Sequence, residues 1–497
     1  MNVFSLALEK LNSRRKIMGT KESFYVDMST SCSNVTGSAH LENVRFPNGT
    51  NTKFLVDCGL HQGKEKCSFI HGKTADDLNQ TLFFNPEGIS FTLVTHNHVD
   101  HTGRLPLLTK KGFKGNIYMT EDTRVLLPLA LNDSQKVLRD VAKRNNRKPL
   151  YIDTDVENVL RKAQACKMEE TKQIDDHIRV TYFNNGHLIG AAIILVQICY
   201  PEKEDINLLF LGDYHYKNVF LDLVDLPQWV KDLKLIVVTE STYGYMDSSE
   251  INKCFEENIL GCLHDGGTIV APVFSLGRSQ EILYVLKELQ MAKELDRSIP
   301  IYLDGKLCIN YTSLFTNAKL NIKPSMIDFL PDNLTFVDKT TRENVLHGKE
   351  QKIILTTSGM GNYGPAQLYI PEYIRRPGSM IHFTGYTAPD TLGGRLRSTP
   401  MGGTVQVGGL VVEKNCLVEY TNQFSAHAKA DELIQFLKKF KKLELVLVTH
   451  GEEKSKEMLA NRIVKEVKPK AVGIFDSRYL FRVNAYGLVK TMSTKYL

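Results

Sequence analysis

Apolar runs at Phe54–Asp57, Phe91–Thr95, Asn116–Met119, Arg179–Phe183, Ala191–Cys199, Asn207–Leu211 and Leu235–Thr239 are short, and many are bounded by Gly, Asn or Pro. Runs of that kind predict buried strands. Between them, Thr123–Leu131 and Val156–Met168 carry the spacing of amphipathic helices, so the first part of the chain reads as one half of a layered αβ/βα sandwich. From about Tyr243 the pattern changes. Helices at Glu250–His264 and Ser279–Leu295 alternate with strands at Thr268–Pro272, Ile299–Leu303, Thr335–Val337 and Ile353–Thr357. After about Gly378, runs at Met380–Gly385, Gly403–Val411, Leu417–Tyr420, Leu443–Thr449 and Ala471–Ile474 predict strands that rejoin the first unit. The expected organisation is an N-terminal extension at 1–19, a first domain part at 20–242, an inserted domain at 243–378 and a returning part at 379–497.

The ends of these runs carry the chemistry. Thr95-His96-Asn97-His98-Val99-Asp100-His101 packs three imidazoles and a carboxylate into the turn after a strand. If residues 90–95 are extended, His96 and His98 leave the strand end on one side and the turn carries Asp100 and His101 to a second point nearby. That arrangement suggests a binuclear site: imidazole and carboxylate suit Zn²⁺, and two metals about 3.5–4 Å apart supply a strong nucleophile at neutral pH. His187, between glycines before the Ile193–Ile198 run, is expected to complete the His96/His98 metal. Asp213, closing Leu208-Leu209-Phe210-Leu211-Gly212-Asp213, is the candidate bridge, and His427 in Phe424-Ser425-Ala426-His427 is expected to complete the Asp100/His101 metal. Asp57 is expected to orient ligating histidines by hydrogen bonding.

The order of these residues resembles the metallo-β-lactamase superfamily and, more narrowly, its β-CASP branch of nucleic-acid nucleases, from about Phe24 to Tyr486. The resemblance matches motif 1 to Asp57, motif 2 to His96, His98, Asp100 and His101, motif 3 to His187 and motif 4 to Asp213. Val238-Thr239-Glu240-Ser241-Thr242-Tyr243-Gly244 resembles motif A with Glu240 as its acid, and His427 takes the motif C position, which in this branch favours RNA over DNA. Thr357-Ser358-Gly359-Met360 and Gly385-Tyr386 add to the pattern, and Val448-Thr449-His450-Gly451-Glu452 resembles the strand-turn that follows motif C. Where motif B calls for a histidine to protonate the leaving oxygen, the matched positions are Gly394 and Arg395. Glu240 is then left without its expected histidine partner, Arg395 is the candidate to stabilise developing charge, and His382 reads as a core-strand histidine.

The resemblance implies an αββα sandwich with an inserted doubly wound α/β β-CASP domain, two Zn²⁺ per chain, and hydrolysis of single-stranded RNA. An endoribonuclease is expected. A 5′-to-3′ exoribonuclease of the ribonuclease J kind, a non-catalytic RNA-processing subunit and a small-molecule metallo-hydrolase are the alternatives, and some relatives form homodimers. Arg278, beside Gly277 at a helix start, is the candidate backbone-phosphate contact. A net charge of +6 is too mild to make the whole surface a nucleic-acid binder. The basic runs Lys136–Lys148 and Lys438–Lys442 read as solvated helix faces. Nine cysteines without a Cys-x-x-Cys pair indicate a reduced, cytoplasmic protein, and no run reaches the roughly 20 apolar residues a membrane span needs.

Overall fold

The computed structural model describes residues 23–32, 34–62, 73–317, 319–385, 387 and 391–494, so the extension at 1–19, Cys67 and Tyr386 lie outside the described residues. An eight-stranded sheet runs in the order Gly487–Ser493, Tyr479–Asn484, Tyr25–Thr30, His40–Arg45, Asn51–Val56, Phe91–Leu93, Asn116–Thr120 and Ala163–Cys166. A seven-stranded sheet packs against it in the order Val472–Ile474, Lys442–Val448, Lys234–Thr239, Ile206–Phe210, Ala192–Ile198, Ile178–Asn184 and Thr171–Gln173. Val26, Val44, Phe54 and Leu93 of the first sheet share one core with Val180, Ile194, Leu208, Ile236 and Leu445 of the second. The outer faces are covered too. Leu105, Leu127, Leu131 and Val156 of flanking helices pack on Leu55, Ile117 and Met119, while Leu433, Ile434, Leu459 and Ile463 pack on Leu209, Val237 and Val446. Strands buried on both faces read as continuous apolar runs rather than alternating ones, which is why Ala192–Ile198 and Ile206–Phe210 stand out in the sequence.

The insert is built on a wholly parallel six-stranded sheet in the order Leu334–Val337, Ile301–Asp304, Ile353–Thr356, Ile269–Pro272, Met380–Phe383 and Leu417–Tyr420. Helices cover one face through Phe255, Ile282, Leu286 and Phe315 and the other through Tyr369, Ile370, Tyr373 and Leu396. Three expectations change here. Met380–Phe383 and Leu417–Tyr420 do not rejoin the sandwich but extend the insert's sheet, so the boundary expected at 378/379 falls inside it. A short apolar run announces burial without saying which of two sheets will bury it. The run Gly403–Val411 is instead a hairpin, Thr404–Val407 with Leu410–Glu413, turned by Gly408 and Gly409 at φ 55° and 89°, the positive-φ pair that a tight hairpin turn favours. The helix expected over Val156–Met168 ends at Lys162 and continues as the strand Ala163–Cys166. The chain returns to the sandwich with the helix Ala430–Leu437 on its outer face and rejoins its sheets with Lys442–Val448, after which Tyr479–Asn484 and Gly487–Ser493 form the far edge of the eight-stranded sheet.

Sandwich and insert are fastened together. Leu126, Leu188, Ile189, Ala191 and Phe220 belong to the same buried cluster as the insert's Leu276, Leu283 and Phe315. The Asn97 amide donates to the Tyr311 hydroxyl at 3.2 Å, and Asp122 accepts from the backbone and side chain of Asn321, both at 3.0 Å.

Candidate metal centre

Topology gathers the chemistry at one edge of the sandwich. Ile206–Phe210, Lys234–Thr239 and Lys442–Val448 are adjacent and parallel, so the residues following their carboxyl ends, Asp213, Glu240 and His450, emerge side by side. In the facing sheet Asn51–Val56 and Phe91–Leu93 are also parallel and deliver Asp57 and the His96–His101 turn. That turn is tied down by its own backbone: Ser38 and Cys58 donate to the carbonyls of Asp100 and His101 at 2.9 and 2.7 Å. Gly59 packs so closely against it that a Cβ there would sit 1.5 Å from the Asp100 carbonyl oxygen.

Three donor groups share Asp213, the smallest of them Asp213 with Glu240 and His427. His96, His98, His187 and Asp213 offer ligand atoms within 4.8 Å of one another, and so do Asp100, His101, Asp213 and His450. The Nε2 atoms of His96 and His187 lie 3.5 and 3.7 Å from Asp213 Oδ2, while His101 Nε2 and His450 Nδ1 each lie 3.3 Å from its Oδ1. Burial, reinforced by the neighbouring His101 and His427 respectively, holds His96 and His187 well below the ordinary histidine range, and burial brings His98 down to about 4. Neutral imidazole is the form that ligates metal. Asp213 is buried, which alone would raise its pKa, but the surrounding imidazoles of His450, His101 and His96 pull it well below the carboxylate range. His96 Nε2, His101 Nε2, His450 Nε2 and Asp213 Oδ1 are buried without a hydrogen-bond partner among the described residues. Orphaned donors and acceptors of this kind are rare in proteins unless something fills the space between them, so the donor set fits metal.

The supporting contacts are equally specific. Asp57, at φ 62°, accepts from the Thr95 amide and hydroxyl, both at 2.8 Å, and lies 2.7 Å from His101 Nδ1. His187 Nδ1 is 2.8 Å from the Ala426 carbonyl, which links the third histidine to the loop bearing His427.

Three family models match the chain: the metallo-beta-lactamase superfamily over residues 44–190, the Beta-Casp domain over 279–396 and the Zn-dependent metallo-hydrolase RNA specificity domain over 411–472. The probable RNase MJ4 of Methanocaldococcus jannaschii is 30% identical over 420 residues, covering 82% of this chain and 90% of that protein. The chain belongs to the β-CASP branch of the metallo-β-lactamase superfamily. Transcription termination factor FttA of Methanosarcina mazei is 29% identical and cleavage and polyadenylation specificity factor subunit 3-II of Arabidopsis thaliana 26% identical, each alignment covering 84% of this β-CASP chain. The chain spans 66% of the length of each of these two relatives, just under two thirds.

Two assignments within the β-CASP pattern are corrected by the geometry. His427 does not close the Asp100/His101 group; His450 does, with its Nε2 3.6 Å from Asp100 Oδ2. His427 instead turns its Nδ1 to Glu240, at 2.8 and 3.0 Å from the two carboxylate oxygens, and its Nε2 lies 3.9 Å from Asp213 Oδ2. Glu240 therefore has the histidine partner that seemed to be missing. Arg395, expected to stand in for it, occupies an exposed position on the helix Leu392–Ser398. The sequence carries a signal for His450, a histidine close after a buried strand run, but the resemblance matches that segment to the strand-turn following motif C and assigns it no ligand. His382 lies on the core strand Met380–Phe383, with Nε2 3.2 Å from the Asn258 amide. Arg278 is half-buried beside the site, its Nε donating to the Phe424 carbonyl at 3.1 Å. Of the basic runs, Lys438, Lys439 and Lys441 are engaged in surface ion pairs with Glu466, Asp225 and Asp232. No described helix is long and apolar enough to cross a membrane.

Proposed function

We propose that this β-CASP protein hydrolyses phosphodiester bonds within single-stranded RNA, using two Zn²⁺ per chain. The observation that carries the reading is the Glu240–His427 pair standing at Asp213 beside two four-residue donor groups that share the same carboxylate. His96, His98, His187 and Asp213 would hold one ion, and Asp100, His101, His450 and Asp213 the other. When bound, such ions polarise phosphoryl oxygens and lower the pKa of water. RNA as the polymer is supported by the ribonuclease and RNA-processing relatives and by the match to the RNA specificity domain over residues 411–472.

The protein's own groups do the rest. Glu240 is fixed by the Tyr214 amide at 2.6 Å and the Thr242 amide at 3.3 Å. It accepts from His427 Nδ1, which leaves Nε2 turned towards Asp213 and placed to protonate the departing oxygen. Burial would lower the pKa of His427, but Glu240 and Asp213 raise it, so the imidazolium form is available near neutral pH. Asp57 locks the tautomer and orientation of His101.

The test is incubation of metal-analysed protein with 5′-labelled and internally labelled single-stranded RNA, matching DNA, and a His98→Ala control. Internal RNA fragments absent from the control support the reading. Mononucleotides released from the 5′ end would replace it with exonuclease action, and bound metal with no RNA cleavage would overturn it.

A further inference from the structure

Two exposed aromatic residues of the insert lie in loops beyond the carboxyl ends of adjacent strands of its parallel sheet. Phe274 follows the strand Ile269–Pro272 and is 38% exposed; Tyr363 follows the adjacent strand Ile353–Thr356 and is 64% exposed. In open α/β sheets the loops beyond the carboxyl ends of the strands are where ligands bind. These two loops are joined: Val273 donates to the Thr356 carbonyl at 2.8 Å, Ser358 to the Tyr363 carbonyl at 3.1 Å, and Tyr363 to the Ser358 hydroxyl at 3.2 Å. Gly359, in the same loop as Tyr363, packs against the Phe274 ring, where a Cβ would come within 2.6 Å. The guanidinium carbon of Arg278 sits 4.7 Å from the centre of that same ring.

This patch is continuous with the reaction centre. Arg278 Nε bonds the Phe424 carbonyl, three residues before His427, and a Cβ on Gly277 would touch the Leu188 side chain at 3.9 Å, next to His187. A single exposed aromatic needs no explanation. Two of them on joined loops at the carboxyl ends of adjacent strands, one packed on a glycine and faced by a guanidinium that bonds the loop bearing His427, form a surface matched to flat π systems carrying negative charge. The geometry points to a nucleobase subsite: Phe274 and Tyr363 stack bases of the RNA flanking the scissile phosphate, and Arg278, held on the Phe274 face, contacts a flanking phosphate. The subsite rests on the RNA-hydrolase reading. Stacking of this kind accepts all four bases, since each has a π face, so it supplies grip without sequence choice.

The experiment compares wild type, Phe274→Leu, Tyr363→Leu and the double variant on single-stranded RNA, with leucine preserving apolar bulk while removing the ring. Each single variant is expected to raise KM for RNA by about 5- to 150-fold, the span of one lost base stack, with kcat, metal content and melting temperature unchanged. Oligonucleotides carrying one abasic ribose at successive positions then locate the contact. Wild type loses affinity where the stacked base is missing, and the matching variant loses nothing further there. Wild-type KM in both leucine variants, or abasic losses that simply add to theirs, overturns the subsite. Failure of the wild-type protein to cleave any RNA overturns the functional reading instead, and is seen in a different tube.

Discussion

His427 Nδ1 stands 2.8 Å from one carboxylate oxygen of Glu240 and 3.0 Å from the other. A half-buried imidazole held this way presents one nitrogen and one tautomer to the site, and its protonated form is stabilised where the leaving oxygen needs a proton. The pair separates the two roles that a cluster of nine histidines and acids would otherwise confuse: holding metal and moving a proton.

His427→Ala should therefore lower kcat by about 10²- to 10⁴-fold, the usual worth of a general acid, while bound metal stays near the wild-type level. An RNA whose scissile 3′ bridging oxygen is replaced by sulfur leaves as a thiolate and needs no proton. Cleavage of that substrate should recover in His427→Ala and not in His98→Ala. Equal failure of both variants on the sulfur substrate would remove His427 from the acid role.

His450→Ala should behave in the opposite way. With His450 gone, Asp100, His101 and Asp213 are left as three donors, and elemental analysis should find metal content reduced while His427→Ala retains it. Full metal occupancy in His450→Ala would count against the corrected assignment.

The Asp57 carboxylate touches no donor group of the His96/His98 side but fixes His101 at 2.7 Å. Asp57→Asn should weaken metal affinity about 10- to 100-fold, the common cost of losing such a supporting hydrogen bond, with the fold retained as judged by circular dichroism. Competition against a chelator of known affinity measures it directly.

How much of this was legible in the chain depended on what each signal encodes. His96, His98 and Asp213, close after buried runs, could be read because a continuous apolar run followed by an ionisable residue marks a strand end, and His187 because it stands between glycines ahead of such a run. His427 and His450 carry similar local signals, a histidine beside a strand or helix start, and nothing local says which one faces Asp100 and which faces Glu240. That is decided by the lateral order of Ile206–Phe210, Lys234–Thr239 and Lys442–Val448, which brings chain segments about 200 residues apart into register. The same limit explains Met380–Phe383: its burial was evident, its choice of sheet was not.

His382 supplies a check on the core away from the metal. Burial brings its pKa from 6.5 down to about 4. Between those values the unfolded chain binds a proton that the folded protein does not, so stability is fully present above pH 6.5 and declines as pH falls through 4. The loss attributable to this one residue is about 3 kcal/mol. His382→Leu should flatten that part of the stability profile, measured by denaturant titration at pH 4.5 and 7.5. An unchanged difference between the two pH values would show that His382 is not the source.

Leu188, Ile189 and Ala191 lie immediately after a donor histidine and also belong to the hydrophobic cluster of the inserted domain. The insert is therefore no detachable accessory. Recombining inserts between β-CASP relatives to alter substrate choice would cut through one continuous core, and a chimera that ignores the packing around Leu188 should disturb His187 before any new specificity could be expressed. Conversely, loosening substitutions deep in the insert, at Leu283 or Phe315, should be felt first as a less firmly seated third histidine, which makes the interior of this domain a remote dial on the reaction centre.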